Sequence, residues 1–402
     1  MQPPFENRPA VPQPQNSIHS PLPGGRNGGA DGRGARGEGM RSALITGGAG
    51  FFGELLLKRL LKDGWRCVSI DLEDHVLSHP NLTAVKGDIR DLPALERTFA
   101  QGSFGSAPLG SARGMQQDLR PFHAVFHLAS ILAHAVKDRN FLWTSNVDGT
   151  RNVAEMTKKF RIPSLVYTSS NCLWGHGMGR SVREEDEPKP VEIYGRSKWE
   201  GEKILREYAG DFNAVTIRCP TIVDEGRLGL LAILFAFIDE GRKVWVVGGG
   251  RNRYQFIYAQ DLIDACLRAV DYGHSDVFNI GSDDVKTFRE VYEYVIHQAG
   301  TGARVASFPR WIAIPLMKLA YALGLSPLGP YQYKMIAEDF VFDTAKIKGK
   351  LGWKPTLKNE DMLARSYRYF HDHRKEIEGR TNVSAHKQAA KMGVIRILKW
   401  LS

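Results

Sequence analysis

The sequence has little cysteine and no long apolar run. Its four cysteines are far apart in the 402 residues, and no C-x-x-C pair or Cys/His ligand spacing occurs. We therefore expect neither a metal site nor a disulfide framework. No apolar run reaches about 18 residues, so no transmembrane helix is predicted. Reduced thiols and the absence of a signal peptide predict a cytoplasmic protein.

Acidic residues are scarce in the last third of the chain. Residues 302–402 hold 18 Lys and Arg against 8 Asp and Glu, a difference of +10 that equals the formal net charge of the whole chain. Such an excess attracts a phosphate-bearing substrate, an anionic membrane or nucleic acid. Because no nucleic-acid-binding motif occurs, nucleic acid is not an expected partner.

The first 40 residues have almost no apolar clusters and are rich in Pro, Gly, Asn and Arg. Such a segment cannot bury enough surface to order itself, so residues 1–40 are predicted to be a disordered tail. A chain start at Met40 is the alternative interpretation. Residues 101–118, rich in Gly, Ser and Ala, predict a flexible insertion in a surface loop.

The feature that organises the rest of the chain is a glycine turn. Residues 46–53 read TGGAGFFG, between an apolar strand at 43–45 and a helical pattern at 55–61. Glycine lets a pyrophosphate approach the main-chain N–H groups at the positive end of a helix. Asp71 follows a second strand, where a carboxylate accepts hydrogen bonds from ribose hydroxyls and repels a 2′-phosphate, which favours NAD over NADP. Asp88 follows a third strand and is placed to meet the adenine amino group.

A possible proton-transfer set lies further along the chain. Tyr194 and Lys198 are four residues apart in a predicted helix and therefore share a face. Ser170 ends a neighbouring predicted strand. We expect the Lys198 ammonium to lower the pKa of the Tyr194 phenol. Ser170 would hold the substrate oxygen against the tyrosine.

Together these segments resemble an extended short-chain dehydrogenase/reductase of the NAD-dependent epimerase/dehydratase family. The resemblance covers residues 41 to about 372. Its motifs are TGGAGFFG at 46–53, Asp71, Asp88-Ile89, HLAS at 127–130, NVDGT at 146–150, YTSS at 167–170, YGRSK at 194–198, FIY at 256–258 with Asp261, and FNIG at 278–281.

The resemblance implies an α/β fold, with a Rossmann-type doubly wound parallel sheet and a smaller C-terminal substrate-binding lobe. The implied NAD-binding domain spans 41–225 and the lobe mainly 226–375. Homodimerisation through helices such as 137–160 and 192–209 is also implied. The implied catalytic residues are Ser170, Tyr194 and Lys198. The implied cofactor contacts are Gly47, Gly50, Phe51, Phe52, Gly53, Asp71, Asp88, Ile89, Leu128, Ala129, Ser130, Asn146, Tyr194 and Lys198.

The sequence departs from the family pattern where substrate is bound. Family 4,6-dehydratases carry an Asp-Glu pair where this chain has Asn171-Cys172, so dehydration is disfavoured. Nucleotide-sugar members usually place an arginine where Tyr254 stands, and Arg253 is one residue earlier. Candidate substrate contacts are therefore Ser130, Asn171 and Arg253.

The C-terminal part contains two unusual segments. Residues 311–325 are unusually apolar, and the C-terminal lobe that contains them is similar to the 3β-hydroxysteroid-dehydrogenase-like branch, although an ordinary helical core explains the apolar stretch equally well. In the tail at 376–402, residues 387–401 predict a basic amphipathic helix. Such a helix fits peripheral contact with an anionic inner membrane surface, a partner, or its own lobe.

Three functions remain open from the sequence. The first is redox epimerisation of a nucleotide sugar through a keto intermediate. The second is NAD-dependent oxidation or reduction of an apolar hydroxy or keto compound. The third is a dinucleotide sensor without turnover, which the Ser-Tyr-Lys set argues against because a sensor needs no proton relay.

Overall fold

The computed structural model describes residues 40–102, 122–132, 138–325 and 335–379. The predicted N-terminal tail, nearly all of the 101–118 insertion and the 387–401 segment lie outside these ranges. In the described residues no helix is long and apolar enough to cross a membrane.

A seven-stranded parallel sheet forms the centre of the fold. Its strands are β1 (Ser42–Thr46), β2 (Arg66–Asp71), β3 (Leu82–Lys86), β4 (Ala124–His127), β5 (Ser164–Ser170), β6 (Asn213–Cys219) and β10 (Asp276–Asn279). Their spatial order is β10-β6-β5-β4-β1-β2-β3. The chain reverses direction across the sheet between β1 and β4, the point where ligands bind in open α/β sheets. The predicted doubly wound parallel sheet is confirmed.

The remaining strands form two small sheets. β7 (Thr221–Val223) pairs with β9 (Phe256–Tyr258), and β8 (Lys243–Val247) pairs with β11 (Arg304–Phe308). Helices surround all three sheets. They are α1 (Phe51–Lys62), α2 (Leu92–Ala100), α3 (Arg139–Asn146), α4 (Asp148–Lys159), α5 (Ile193–Glu207), α6 (Leu231–Asp239), α7 (Ala259–Val270), α8 (Phe288–Ala299), α9 (Arg310–Ala322), α10 (Ala345–Leu351), α11 (Asn359–Asp372) and α12 (Arg374–Gly379).

The large apolar clusters fall into two regions: one cluster on each face of the central sheet, and a third in the lobe. The central strands are buried on both faces and therefore read as continuous apolar runs. α1 covers one face with Leu56, Leu57 and Leu60, all fully buried. The third cluster lies in the lobe, where Phe235 of α6 packs against Tyr367 and Phe370 of α11.

The structure corrects one helix predicted from the sequence. We expect a single helix through 146–150, but α3 ends at Asn146 and α4 begins at Asp148. Val147 between them has φ −103° and ψ −61°, and its N–H donates to Trp143 O. The helical hydrogen bonds continue on both sides of this residue, since Val147 N donates to Trp143 O and Arg151 N donates to Val147 O, so the interruption is local.

Candidate active site

The glycine turn meets the sheet at its topological switch. Gly47 has φ +79°, and a Cβ there would come within 2.6 Å of the Ala129 main-chain nitrogen. Only glycine fits so close to the segment that follows β4. Leu128, Ala129 and Ser130 form that segment, so the structure brings the two predicted cofactor-binding stretches together.

The residues of this turn fit a dinucleotide pyrophosphate. Gly50 is the N-cap of α1, and no side chain caps the helix there. A Cβ on Gly50 would contact only Gly47 O, at 3.3 Å, so the space in front of the helix is open. An uncapped helix N-terminus presents free N–H groups and positive charge to an anion. Phe51, Phe52 and Gly53 form the first turn of α1.

The two predicted adenosine-binding acids differ in their surroundings. Asp71 Oδ2 accepts a hydrogen bond from Ala49 N at 2.9 Å, and Oδ1 accepts one from Glu73 N at 3.0 Å. Its carboxylate therefore lies directly beside the glycine turn. Both oxygens of Asp88 accept from the Arg90 side chain. Burial opposes ionisation of Asp88, but these bonds more than compensate and lower its pKa.

Asn146 holds two parts of the site together. Its Oδ1 accepts from Ile131 N at 2.7 Å, and its Nδ2 donates to Ile131 O and to Ser197 Oγ, both at 3.0 Å. The amide thereby joins the segment after β4 to α5. Its donors already have protein partners, so we assign Asn146 a positioning role. Ile89 lies against Gly149 of α4.

Ser170, Tyr194 and Lys198 come from two neighbouring elements. Ser170 ends β5, and Tyr194 and Lys198 occupy the first turns of α5. Gly195 allows this approach, because a Cβ there would lie 2.2 Å from Cys172 O. Ser170 Oγ accepts from Cys172 N at 3.1 Å and lies 3.5 Å from Asn171 Oδ1.

Lys198 is buried beneath this set. Its Nζ donates to Thr168 O at 2.9 Å and lies 4.6 Å from the centre of the Tyr167 ring. Only one of the three ammonium donors has a partner among the described residues. Burial lowers the pKa of Lys198 from 10.5 to about 8. Keeping Lys198 charged in this buried position therefore lowers the stability of the fold, and two N–H donors of its ammonium remain for a ligand.

The pKa of Tyr194 moves in the direction opposite to the one we expect from the sequence. Burial raises it, and the thiols of Cys172 and Cys219 raise it further. Ser130 Oγ and the Arg227 guanidinium act in the other direction. The expected lowering is wrong for the ligand-free protein, because burial of the phenol outweighs the groups that would lower its pKa. Ser130 Oγ is buried and has no well-formed hydrogen bond among the described residues.

A buried ion pair anchors α5 to the sheet. Arg218 of β6 donates to Glu202 from Nε at 3.0 Å and from Nη2 at 2.8 Å. Both side chains are almost fully buried. Glu202 is one turn beyond Lys198, so this bidentate pair fixes the position of α5, and with it Lys198, on the sheet.

The departures from the family pattern meet in one network. Asn171 Nδ2 donates to Tyr254 Oη at 2.6 Å, and Thr221 Oγ1 lies 3.1 Å from the same oxygen. Tyr254 is fully buried. The position usually held by a phosphate-binding arginine is thus filled by a phenol bound to Asn171.

Arg253 points to a different part of the lobe. It is exposed, and its main-chain N donates to Asp339 Oδ1 at 2.6 Å. It lines a cavity of about 370 Å³ together with Asp283, Asp284 and Asp339. Neither Ser170 nor Tyr194 lines this cavity.

The cation beside Tyr194 is Arg227, which the sequence interpretation missed. Its guanidinium carbon lies 5.6 Å from the centre of the Phe51 ring in the glycine turn. Burial lowers its pKa to about 10, while Cys219, Tyr194 and Tyr254 act in the opposite direction. No carboxylate pairs with Arg227 in the described ranges. The only sequence signal was an Arg shortly after β7, which looks like an ordinary loop residue.

No metal site was expected, and the described residues contain no group of three or more His, Cys, Asp or Glu side chains that could hold an ion.

His127 is fully buried, with Nδ1 2.7 Å from Thr46 Oγ1 and Nε2 2.9 Å from Thr150 Oγ1. It is a packed structural histidine.

Sequence comparison adds three relatives of this chain. An uncharacterized protein of Sinorhizobium fredii, y4nG, is 34% identical over 90% of this chain and 86% of its own length. A 3beta-hydroxysteroid-dehydrogenase/decarboxylase of Arabidopsis thaliana is 23% identical, covering 89% and 86%. The N-acetyl-alpha-D-glucosaminyl-diphospho-ditrans,octacis-undecaprenol 4-epimerase of Escherichia coli O157:H7 is 28% identical, covering 74% and 80%.

Structural comparison gives the same fold. UDP-glucose 4-epimerase of Thermotoga maritima, solved with UDP-glucose, superposes with a TM-score of 0.65 at 22% identity, covering 82% of this chain and 99% of that one. The model of the NAD dependent epimerase/dehydratase family matches residues 43–105 and 111–281. The chain belongs to the NAD-dependent epimerase/dehydratase family, and the predicted membership and NAD dependence of that family are confirmed.

Proposed function

We propose that this family member binds NAD and epimerises a sugar carried on a diphosphate, such as a nucleotide sugar, through a keto intermediate. One observation carries the proposal: the charge of Arg227 acts on Tyr194, and the same guanidinium lies 5.6 Å from the centre of the Phe51 ring in the glycine turn. A proton-transfer group next to an anion-binding group suits a substrate with a reactive hydroxyl and a phosphate.

The cofactor would be held by three groups. The open N-terminus of α1 would receive the pyrophosphate, Asp71 the ribose hydroxyls, and Lys198 the second ribose through its free donors. When bound, NAD accepts a hydride from a substrate carbon and can return it.

The chain's own residues would handle the proton. Ser170 and Ser130 would hold the substrate oxygen, because Ser170 ends the strand beside α5 and Ser130 Oγ acts on Tyr194. Tyr194 would take the hydroxyl proton as the carbonyl forms and give it back as the carbonyl is reduced. Lys198 and Arg227 would stabilise the phenolate while it exists. Asn171 offers no carboxylate for water elimination, which disfavours dehydration.

Two sources of a diphosphate-linked sugar are possible, a nucleotide sugar and a polyprenyl diphosphate sugar. The E. coli relative is named for a sugar on diphospho-undecaprenol. We favour the nucleotide sugar, because the family match and the fold both include proteins named for UDP-sugars. An assay with both substrate types distinguishes the two sources.

The first measurement is the nucleotide that the purified protein releases on denaturation. An epimerase must keep its hydride between half-reactions, so near-stoichiometric NAD is expected. The protein is then incubated with UDP-sugars deuterated at the oxidised carbon. The epimer should form with its label retained, and Tyr194→Phe should abolish it while NAD stays bound.

Tyr208→Phe is the matched control, since Tyr208 follows the C-terminal end of the same helix and stacks on Phe212. Two outcomes would contradict the proposal. One is a protein that is purified without bound cofactor and, when NAD and an apolar alcohol are added, forms NADH in stoichiometric amount. The other is full biological activity in Tyr194→Phe, which would favour the sensor.

The apolar-substrate alternative is retained for one reason. Tyr254 and its network occupy the position where nucleotide-sugar members usually bind phosphate, and the Arabidopsis relative is named for a hydroxysteroid. NADH formation with a panel of steroid alcohols, absent with UDP-sugars, would support it.

A further inference from the structure

α9 and the turn after it carry most of the large hydrophobic side chains that are exposed among the described residues. Ten large hydrophobic side chains are exposed in the described ranges, and six of them lie within residues 311–325. They are Trp311, Leu316, Leu319, Tyr321, Leu323 and Leu325. Trp311 is 77% exposed and Leu319 is 56% exposed. Hydrophobic residues concentrated in this way mark an interaction site more often than scattered ones do.

The opposite face of α9 holds the helix on the lobe. Ala313, Ile314 and Met317 pack against a small cluster that includes Val247 and Ala337. The helix is therefore apolar on both sides, a pattern that normally belongs to a buried helix. Its inner face has protein contacts, and its outer face lies open.

The charge around α9 identifies the kind of surface that fits it. Residues 302–337 contain no Asp or Glu and four cations, Arg304, Arg310, Lys318 and Lys334. Lys318 projects from the helix and has no acidic partner among the described side chains. Arg310, at the start of the helix, lies 3.3 Å from Glu338. An apolar helix face that has Arg310 and Lys318 on the same helix and Trp311 near its start matches the acyl and headgroup layers of an anionic membrane.

A second copy of the chain fits this face less well. A twofold contact through α9 would bring Lys318 towards its own symmetry mate, and no carboxylate of residues 302–337 could meet it. Anionic lipid headgroups remove that repulsion. We propose that the protein docks peripherally on anionic membranes through the outer face of α9, with Trp311 and Leu319 entering the lipid.

This surface connects to the candidate active site through a short path. The cluster beneath α9 includes Ile336 and Ala337, and the next residue, Glu338, accepts a hydrogen bond from Gly177 N at 3.1 Å. Gly177 belongs to the loop that follows Ser170. Glu338 thus links the segment beneath α9 directly to the loop after β5.

Vesicle sedimentation of the full-length protein tests the proposal. The vesicles contain phosphatidylcholine and phosphatidylglycerol in roughly a three to one ratio, with pure phosphatidylcholine as the comparison. We expect binding to the anionic vesicles that weakens with added salt. The double variant Trp311→Gln/Leu319→Gln should bind about tenfold more weakly or worse, since each lost side chain removes apolar burial but no charge.

Val76→Gln is the matched control, because Val76 is 89% exposed and lies far from α9 in the sequence. It should bind like the wild type. Thermal melting checks that each variant is folded. The proposal fails if the double variant binds as the wild type does, which would direct attention to residues 387–401. It also fails if the wild type does not bind, or if the double variant instead dissolves a dimer.

Discussion

Replacing Lys198 by methionine should stabilise the ligand-free protein at neutral pH. Burial lowers the pKa of Lys198 from 10.5 to about 8. That difference corresponds to about 3 kcal/mol of unfolding free energy lost at pH 7, where the ammonium is charged in both the folded and unfolded states. The substitution would leave Thr168 O without its donor, which costs about 1 kcal/mol. The net expected gain is about 2 kcal/mol.

The pH dependence of this gain distinguishes it from a general packing effect. The folded pKa lies below the unfolded pKa, so the unfolded state binds more protons between about pH 8 and 10.5. Wild-type stability should therefore rise with pH across this window, as the folded lysine becomes neutral. The advantage of Lys198→Met should shrink over the same range and be largest at pH 7.

Urea unfolding of nucleotide-free protein, followed by circular dichroism from pH 7 to about 10, measures the difference. Lys203→Met is the control, because Lys203 lies on the same helix, is 45% exposed in its side chain and pairs with Glu200. The control should change stability little and without this pH profile. A Lys198→Met variant that is less stable than wild type by the same amount at every pH would refute the reasoning. Loss of NAD binding or turnover alone would not.

Three further outcomes follow from the site. Arg227→Gln should weaken UDP binding by about tenfold or more in calorimetry, because a charge-assisted bond is lost. Arg253→Gln should leave UDP binding nearly unchanged. The reverse pattern would support the interpretation from sequence, in which Arg253 contacts the substrate. Asp71→Asn should raise the affinity for NADP relative to NAD by about tenfold, because the repulsion of a 2′-phosphate is removed. The amide oxygen can still accept the hydrogen bond from Ala49 N. Unchanged selectivity in a fluorescence titration would contradict this prediction. Arg218→Met should cost about 3–5 kcal/mol in urea unfolding by leaving Glu202 buried and unpaired, and adding Glu202→Leu should recover most of it.

The sequence was sufficient for the fold because its signals are local. Strand, glycine turn, helix and strand-end acid follow one another within residues 42–71, and parallel pairing then leaves one arrangement for their carboxyl ends. The i, i+4 spacing of Tyr194 and Lys198 is equally local and survives in α5.

Residues whose neighbours are distant in the chain could not be predicted in this way. Arg227 has no motif, and its importance depends on Phe51, 176 positions earlier, lying 5.6 Å from it. Arg253 is also an arginine and is closer in the sequence to the family motif at 256–258, yet it lines a cavity that neither Ser170 nor Tyr194 lines. The contacts of Asn146 with Ile131 and Ser197 likewise join different parts of the chain, and helix propensity does not contain them.

Tyr194 and Lys198 show why the pKa shifts of the site could not be predicted from the sequence alone. Sequence spacing alone favours an ammonium that lowers the pKa of the neighbouring phenol. In the folded chain both groups are buried, and burial acts against the charged form of each, so the pKa of Tyr194 rises while that of Lys198 falls. In the ligand-free site Tyr194 therefore keeps its proton, which under the proposed function it would give to a keto oxygen. Removing that proton to oxidise a substrate requires the cations Lys198 and Arg227 to act on the phenol more strongly than they do in the ligand-free site. The free donors of Lys198 and the unpaired guanidinium of Arg227 are the groups able to respond. The same two side chains that make the site costly to fold are therefore the ones that would let one tyrosine serve as acid and base in turn.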